Sequence, residues 1–571
     1  MDIHRHHPNG ANPHILPKNN PSLPAMGKTR AGLPCLGKTL YPRSNRMCPR
    51  KIVSTAKNFR CRLIFFCASL LVAANLLAAD AGLYSEPFRP QFHFTPPRNW
   101  MNDPNGLVFY EGEYHLFYQF NPDGNKWGHM SWGHAVSTDL VHWQHLPVAL
   151  PEENGIMIFS GSAVIDWRNS SGFGQNGRPP MVAVYTGYRG ADGAQFQCVA
   201  FSNDKGRTWT KYAGNPVIDI GSKEFRDPKV RWHEPTHRWV MSVALSADHQ
   251  ICFYHSPDLK HWELTGKFGP QGAVSGAWEC PDMFELPVEG TADKRWVLTV
   301  NTGSGSAAGG SGTQYFIGQF DGANFIADRA STPPTTPPPL WTDYGKDYYA
   351  AVSWSDIPTS DGRRLWLGWM SNLQYAGDVP TTPWRSAMSI PREIHLRQTA
   401  AGVRMTQSPV RELEKIRGRH HLFSGGTVSA ANAWLDAHRI GGACLELIVD
   451  VPAQPGTQGI RVRKGESEST TIGVDHARGM VFIDRRHSGR VDFNPAFAGV
   501  QEAPLFSKDR AVTLHIYIDA SSVEVFVNNG ERVLTDLNFP AATCRGLEMF
   551  SSSPPGQVGA LNVWELKSIW N

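Results

Sequence analysis

Three carboxylates stand in local contexts suited to nucleophilic and acid–base work. Asp103 lies in Asn99-Trp-Met-Asn-Asp-Pro-Asn-Gly106, Asp227 in Glu224-Phe-Arg-Asp-Pro228, and Glu279 in Trp278-Glu-Cys-Pro-Asp282. Proline follows two of these acids directly and the third after one residue. Pro removes a backbone donor and biases the residue before it toward extended geometry, so each acid is expected at a constrained strand end. Glycoside hydrolysis is a chemistry that needs such a set. One carboxylate attacks or assists at the anomeric carbon and another protonates the leaving oxygen, about 5–5.5 Å apart when a covalent intermediate retains configuration. An Asp-Pro pair is also an ordinary turn, so each acid alone carries little and the three together carry much more.

The elements that must position these acids read as strands. From about residue 86 to 400, short apolar runs such as Tyr114-His-Leu-Phe-Tyr118, Met181-Val-Ala-Val-Tyr185 and Leu365-Trp-Leu-Gly-Trp369 alternate with turn residues. No long segment of helical period interrupts them. Frequent Gly (54) and Pro (42), with 11% aromatic residues including 19 Trp, fit a β-rich chain. Most of those Trp are expected in the core. A weak repeat sharpens the pattern: Ser137-Thr-Asp-Leu-Val-His-Trp143, Ser202-Asn-Asp-Lys-Gly-Arg-Thr-Trp209 and Ser256-Pro-Asp-Leu-Lys-His-Trp262. A spacing of roughly 55–65 residues suits one four-stranded propeller blade with its loops, and the span accommodates about five blades. In each repeat the Asp is expected to close a hairpin turn and the Trp to wedge between blades. Two low-complexity stretches, Gly303 to Thr313 and Ser331 to Pro339, read as long blade loops. Beyond about residue 420, cleanly alternating runs such as Leu445–Val451, Val512–Ile518 and Val523–Val527 predict antiparallel strands of a β-sandwich.

Taken in order, Trp100-Met-Asn-Asp-Pro-Asn-Gly106, Phe225-Arg-Asp-Pro228 and Trp278-Glu-Cys-Pro281 resemble the three signature motifs of the fructan hydrolases, the family of invertases, inulinases and levanases. The likeness runs from about residue 86 to the C-terminus. It implies an all-β chain: a five-bladed β-propeller over 82–410 that carries catalysis, followed by a β-sandwich over 420–571. It also implies a retaining glycosidase with Asp103 as nucleophile, Glu279 as acid/base, and Asp227 as holder of two sugar hydroxyls. Gln119, Trp127 and Ser160 are similar to residues that line the family's terminal-fructose site, and Trp384 in Pro383-Trp-Arg385 to an aromatic at its rim.

Each role has a physical basis. A nucleophilic carboxylate must be ionised and therefore sits among donors such as Asn102. The acid must hold a proton near neutral pH, with Trp278 and the charge of Asp103 as candidate causes. Asp227 can accept from two adjacent hydroxyls as the ring gains oxocarbenium character, and Arg226 can hold one carboxylate ionised through charge-assisted bonds. Polar pocket groups bind hydroxyls, while aromatic ones cover the apolar sugar face. The substrate predicted is a fructose-containing oligo- or polysaccharide, levan or inulin, with sucrose also cleaved. Trp341 to Ala350 and Gly312 to Gly318 look closer to secreted microbial exo-levanases and exo-inulinases than to sucrose-6-phosphate hydrolases. An invertase acting mainly on sucrose, a fructosyltransferase and an inactive sugar-binding protein are the competing readings. The sandwich is expected to brace the propeller rather than to bind sugar.

Bulk properties exclude other classes. The formal charge of +4 arises at the N-terminus, where residues 1–62 hold 12 Lys/Arg against one acid, Asp2. Beyond about residue 81 the chain is acidic by roughly six charges, the wrong sign for a nucleic-acid footprint. Lys57, Arg60 and Arg62 precede the apolar run Leu63 to Leu77 and the small residues Ala78, Ala79 and Ala81, the pattern of a secretory signal within 1–81. Met47 is the expected start, with Met26 the alternative, and the product is expected to be secreted or periplasmic. A single membrane anchor competes, but about 17 residues interrupted by Asn75 are short for a span. Cys198, Cys252, Cys280, Cys444 and Cys544 lack metal-site or disulfide spacing, and only a Cys444–Cys544 bridge stays open. His129 and His134 read as structural, and neither a metal nor an organic cofactor is implied.

Overall fold

A computed structural model describes residues 83–328, 338–399 and 401–570. The expected signal segment and start site therefore lie outside the described residues, as does most of the Pro-rich stretch around 331–337. Five antiparallel sheets follow one another along the first part of the chain. They begin with Asn99–Tyr110, Ile156–Ile165, Phe225–His233, Trp278–Pro287 and Tyr349–Ser353, here the inner strands of blades I to V. Each inner strand packs on the next, and that of blade V packs on that of blade I, so the ring closes as a propeller. A short segment, Trp384–Arg385, leaves blade V and pairs in parallel with Asn99 and Trp100 of blade I, fastening the ring.

The repeated Asp and Trp perform the structural work expected of them. Oδ1 of Asp139 accepts from the N–H groups of Val141 and His142 at 3.1 and 2.9 Å. Asp204 and Asp258 close the equivalent turns of blades II and III. Trp209 of blade II meets Phe117 of blade I edge-on at 5.5 Å, and Trp262 packs into the core shared by blades II and III. Blade IV carries a degenerate copy, in which Asp321 accepts from Ala323 and Asn324 and buried Phe325 stands for the Trp. The Gly-rich stretch from Gly303 joins the second and third strands of blade IV, as expected of a blade loop.

The inner strands share one irregularity that decides where side chains point. Each carries a one-residue β-bulge near its start: between Met101 and Pro104, Ile158 and Gly161, Arg226 and Lys229, Glu279 and Asp282, and Tyr349 and Val352. A bulge twists the strand and re-aims the residue beside it, which is why bulges gather at barrel rims and active sites. Asp227, Cys280 and Ala350 sit in these bulges with positive φ of 67°, 44° and 53°. For Asp227 this corrects the expectation of extended geometry before Pro228: the bulge overrides the preference that Pro imposes.

The C-terminal part is a sandwich of a six-stranded and a five-stranded sheet. Alternate residues such as Leu447, Val449, Ile460, Val462, Ile472, Ile516 and Val525 meet in a dry core between them. Among the described residues the α-helix is confined to Val428–Ala437, capped by the Thr427 hydroxyl, which accepts from the Ala430 N–H at 3.1 Å. Buried polar groups tie sandwich to propeller: Asp519 and Glu524 hold His93, Arg392 bridges Asp343 and Glu524, and Arg485 pairs with Asp347. The five described cysteines are free, so the Cys444–Cys544 bridge is not formed. No helix among the described residues is long and apolar enough to cross a membrane.

Candidate active site

The bulged ends of the five inner strands bring the three acids to one end of the propeller axis. Asp103 follows Asn102 in the blade I bulge. The Ser160 hydroxyl, from the blade II bulge, donates to its Oδ2 at 2.6 Å. The Asn102 amide donates to Oδ1 at 3.1 Å, and the Trp100 indole N–H holds Asn102 in place by donating to its Oδ1 at 2.8 Å. The expected donors around this carboxylate are therefore present. Burial pushes the Asp103 carboxyl up, and the Ser160 hydrogen bond pulls against it.

Asp227 is buried, 6% exposed. Its backbone N–H donates to the Thr186 hydroxyl at 2.9 Å, and its Oδ2 accepts from the Cys280 N–H at 2.9 Å. The Cys280 thiol lies 3.5 Å from Asp103 Oδ2 and 3.6 Å from Asp227 Oδ2, so both carboxylates abut one side chain. Burial pushes the Asp227 carboxyl up to about 7; Arg226 opposes this, while the charges of Glu279 and Asp103 add to it. Burial, with the charges of Asp227 and Asp103, raises the Cys280 thiol, which stays protonated and acts as a weak donor.

Glu279 is gripped from two sides. Arg226 reaches it from blade III, Nε to Oε1 at 3.0 Å with Nη2 at the same distance. Arg226 is held in turn by Glu224 at 2.6 Å and by Gln195 at 3.3 Å. The phenol of Tyr349, at the start of blade V's inner strand, donates to Oε2 of Glu279. Burial and the Glu279 charge hold that phenol well above its usual range, so it remains a donor. Trp278, expected to press on Glu279, does not: it packs between blades III and IV, its indole N–H donating to Ala273 O at 2.8 Å.

The other predicted residues divide. Ser160, Asn102 and Arg226 touch the acids directly. Gln119 is 2% exposed and donates to Ile158 O at 3.0 Å, so it bridges blades I and II beside the Ser160 bulge. Trp127 is 53% exposed, its ring edge-on to Phe159, which stacks on Tyr188 at 4.6 Å. Trp384, expected at the pocket rim, is 2% exposed beside Asn99 and Trp100, its ring covered by the Arg89 guanidinium at 4.5 Å. His129 pairs with Glu152 at 2.8 Å on the surface, and buried His134 bonds His115 at 3.1 Å. Among the described residues no cluster of His, Cys, Asp and Glu suits a metal.

Sequence reasoning missed Tyr349, and it weighed Cys280 only as a metal or disulfide candidate. Tyr349 carries no flanking motif. The available signal was positional: it opens the fifth inner strand just before its bulge, as Glu279 does in the fourth.

Comparison with known proteins agrees with this geometry. A model of the glycosyl hydrolases family 32 N-terminal domain matches residues 93–409, and one of the family 32 C-terminal domain matches 412–565. The chain is 52% identical over 516 residues to a levanase of Bacillus subtilis, covering 89% of this chain and 75% of the relative. It is 39% identical over 538 residues to an extracellular exo-inulinase of Aspergillus ficuum, covering 88% and 100%. The crystal structure of exo-inulinase from Aspergillus awamori superposes with a TM-score of 0.79 at 36% identity, covering 85% of this chain and all of that one.

Proposed function

The chain belongs to glycosyl hydrolase family 32, and from that premise we propose that it is an exo-acting β-fructofuranosidase of fructans. It removes terminal β-D-fructofuranose from levan or inulin and also cleaves sucrose, outside the cell or in the periplasm. The names of its relatives, levanase and extracellular exo-inulinase, support the substrate class and the export.

The supporting observation is the meeting of Asp103, Asp227 and Glu279 on bulged inner-strand ends, each held by named hydrogen-bond donors. Asp103 attacks the anomeric carbon, oriented by Ser160 and Asn102. Glu279 protonates the leaving oxygen, and after departure deprotonates the water that releases the sugar with retention. Asp227, fixed by the Cys280 N–H, accepts from two ring hydroxyls; these bonds strengthen as positive charge builds on the ring. Arg226 and Tyr349 hold Glu279 in place, and Trp127 offers an open aromatic face to the sugar beyond. Residues 82–410 carry the chemistry and 420–571 brace them.

Fructose release from levan, inulin and sucrose at equal enzyme tests this reading. Free fructose from the polymers as the first product supports it. Consumption of sucrose alone would remove the fructan assignment, and short oligosaccharides without free fructose would remove exo action.

A further inference from the structure

The acids occupy one end of the propeller axis; the other end holds a second pocket of about 200 Å³, room for several waters. Its walls come from the same inner strands, farther along. Arg231 lies four residues beyond Asp227, or about 13 Å at the rise of a strand, and Asp282 lies beyond Glu279. Arg364 and Asp356 enter from blade V, and Trp167, 58% exposed, stands at the mouth.

The charges in this pocket do not balance. Lys229 is neutralised by Asp282 at 3.3 Å and also donates to Ser353 O. Asp356 is satisfied by neutral donors, the Ile165 N–H at 3.0 Å and the Trp167 indole at 2.8 Å. Arg168, at the mouth, pairs with Glu234, and Glu285, near Arg231, pairs with Lys294. Asp282 acts on both remaining guanidiniums and Asp356 on that of Arg364, but three cations, Lys229, Arg231 and Arg364, then face two carboxylates. Arg231 donates only to a carbonyl, Met283 O at 3.2 Å, and lies over the Trp296 ring. Arg364 donates only to Trp354 O at 3.3 Å and lies over Phe284. Neither makes an ion pair among the described residues, and Nε of each is buried without a partner.

An excess positive charge held partly out of water is costly, and two like guanidiniums facing one space compound it. Burial first and the charge of Arg364 second draw Arg231 down to about 9, against the opposing charges of Asp282 and Glu285. Burial lowers Arg364 as well. An anion with several acceptor oxygens would relieve both guanidiniums at once, because their planar forks match oxyanion geometry. We infer that the far mouth of the propeller axis binds a small oxyanion of the phosphate or sulfate class between Arg231 and Arg364. Bound there, it ties blade III to blade V at the end of the axis remote from the acids, and so stabilises the closed ring without touching the catalytic groups.

The test uses the full-length enzyme and inorganic phosphate as probe, with chloride at matched ionic strength as control. Calorimetric titration of the wild type is expected to show one saturable phosphate site, and the melting temperature to rise with phosphate as ligand linkage requires. Arg231→Gln and Arg364→Gln are each expected to weaken that affinity roughly ten- to a hundred-fold, the effect of losing a charged hydrogen-bonding partner. Sucrose hydrolysis should continue at the wild-type rate. Arg364→Lys, which keeps the charge and lacks the fork, serves if a Gln variant does not fold. A sulfate arm separates a general oxyanion site from one selective for phosphate. Wild-type enzyme that responds to phosphate no differently from chloride, or a variant that binds as tightly as the wild type, would overturn the site.

Discussion

His93 offers a quantitative check on how the sandwich holds the propeller. This fully buried imidazole precedes blade I, and its two nitrogens meet sandwich carboxylates: Nδ1 lies 2.7 Å from Asp519 and Nε2 lies 2.9 Å from Glu524. Asp519 also accepts from the N–H groups of Gln91 and Phe92 at 2.7 and 3.0 Å, clamping the segment. Burial is the largest influence on His93 and acts downward. The hydrogen bonds and charges of Asp519 and Glu524 together outweigh it and raise the group from 6.5 to about 9. A raised folded pKa means that the folded state holds the proton more tightly. The stabilisation is therefore complete below pH 6.5 and is lost as pH climbs through 9. At 1.36 kcal/mol per unit, the contribution is about 3 kcal/mol. Asp536, pushed up to about 7 by burial, titrates nearby, so the quantity to measure is the difference between wild type and His93→Gln. Urea unfolding of both proteins at pH 6 and pH 9.5 should show the wild type losing about 3 kcal/mol more than the variant. Parallel losses would refute the latch.

Other substitutions probe the site. Ser160→Ala removes the 2.6 Å donor to Asp103 and should lower kcat on sucrose about ten- to a hundred-fold, as expected for a hydrogen bond to a charged acceptor; an unchanged kcat would contradict it. Tyr349→Phe removes the phenol that orients Glu279 and should cut kcat by about ten-fold while KM moves little. A KM effect alone would make Tyr349 a binding residue instead. Because burial and neighbouring carboxylates keep the Cys280 thiol protonated, iodoacetamide at pH 7 should leave activity intact; rapid inactivation with label on Cys280 would contradict that environment.

Much of this molecule was legible in its residues, for identifiable reasons. The repeated Asp and Trp announce blades because a turn and a wedge each need a particular side chain. The sandwich strands alternate because their outer faces meet water. The inner strands gave less away. They are covered on both sides, so they lack an alternation that would say which residues face the axis. A single bulge then reverses the facing of all that follows. Trp278 lies ahead of its bulge and, as the strand neighbour of Glu279, points to the opposite face and packs between blades, while Tyr349 has no motif of its own to mark it. The cover over Trp384 was not legible either: it is Arg89, remote in sequence and joined to it only by the closed ring.

The nucleophile assignment is tested most directly by kcat on sucrose for Asp103→Asn, with the fold verified by circular dichroism. The substitution keeps the shape of the side chain and removes its charge, so the covalent route should close and kcat fall by about four orders of magnitude or more. A folded Asp103→Asn enzyme that turns over sucrose at near wild-type rate would contradict it.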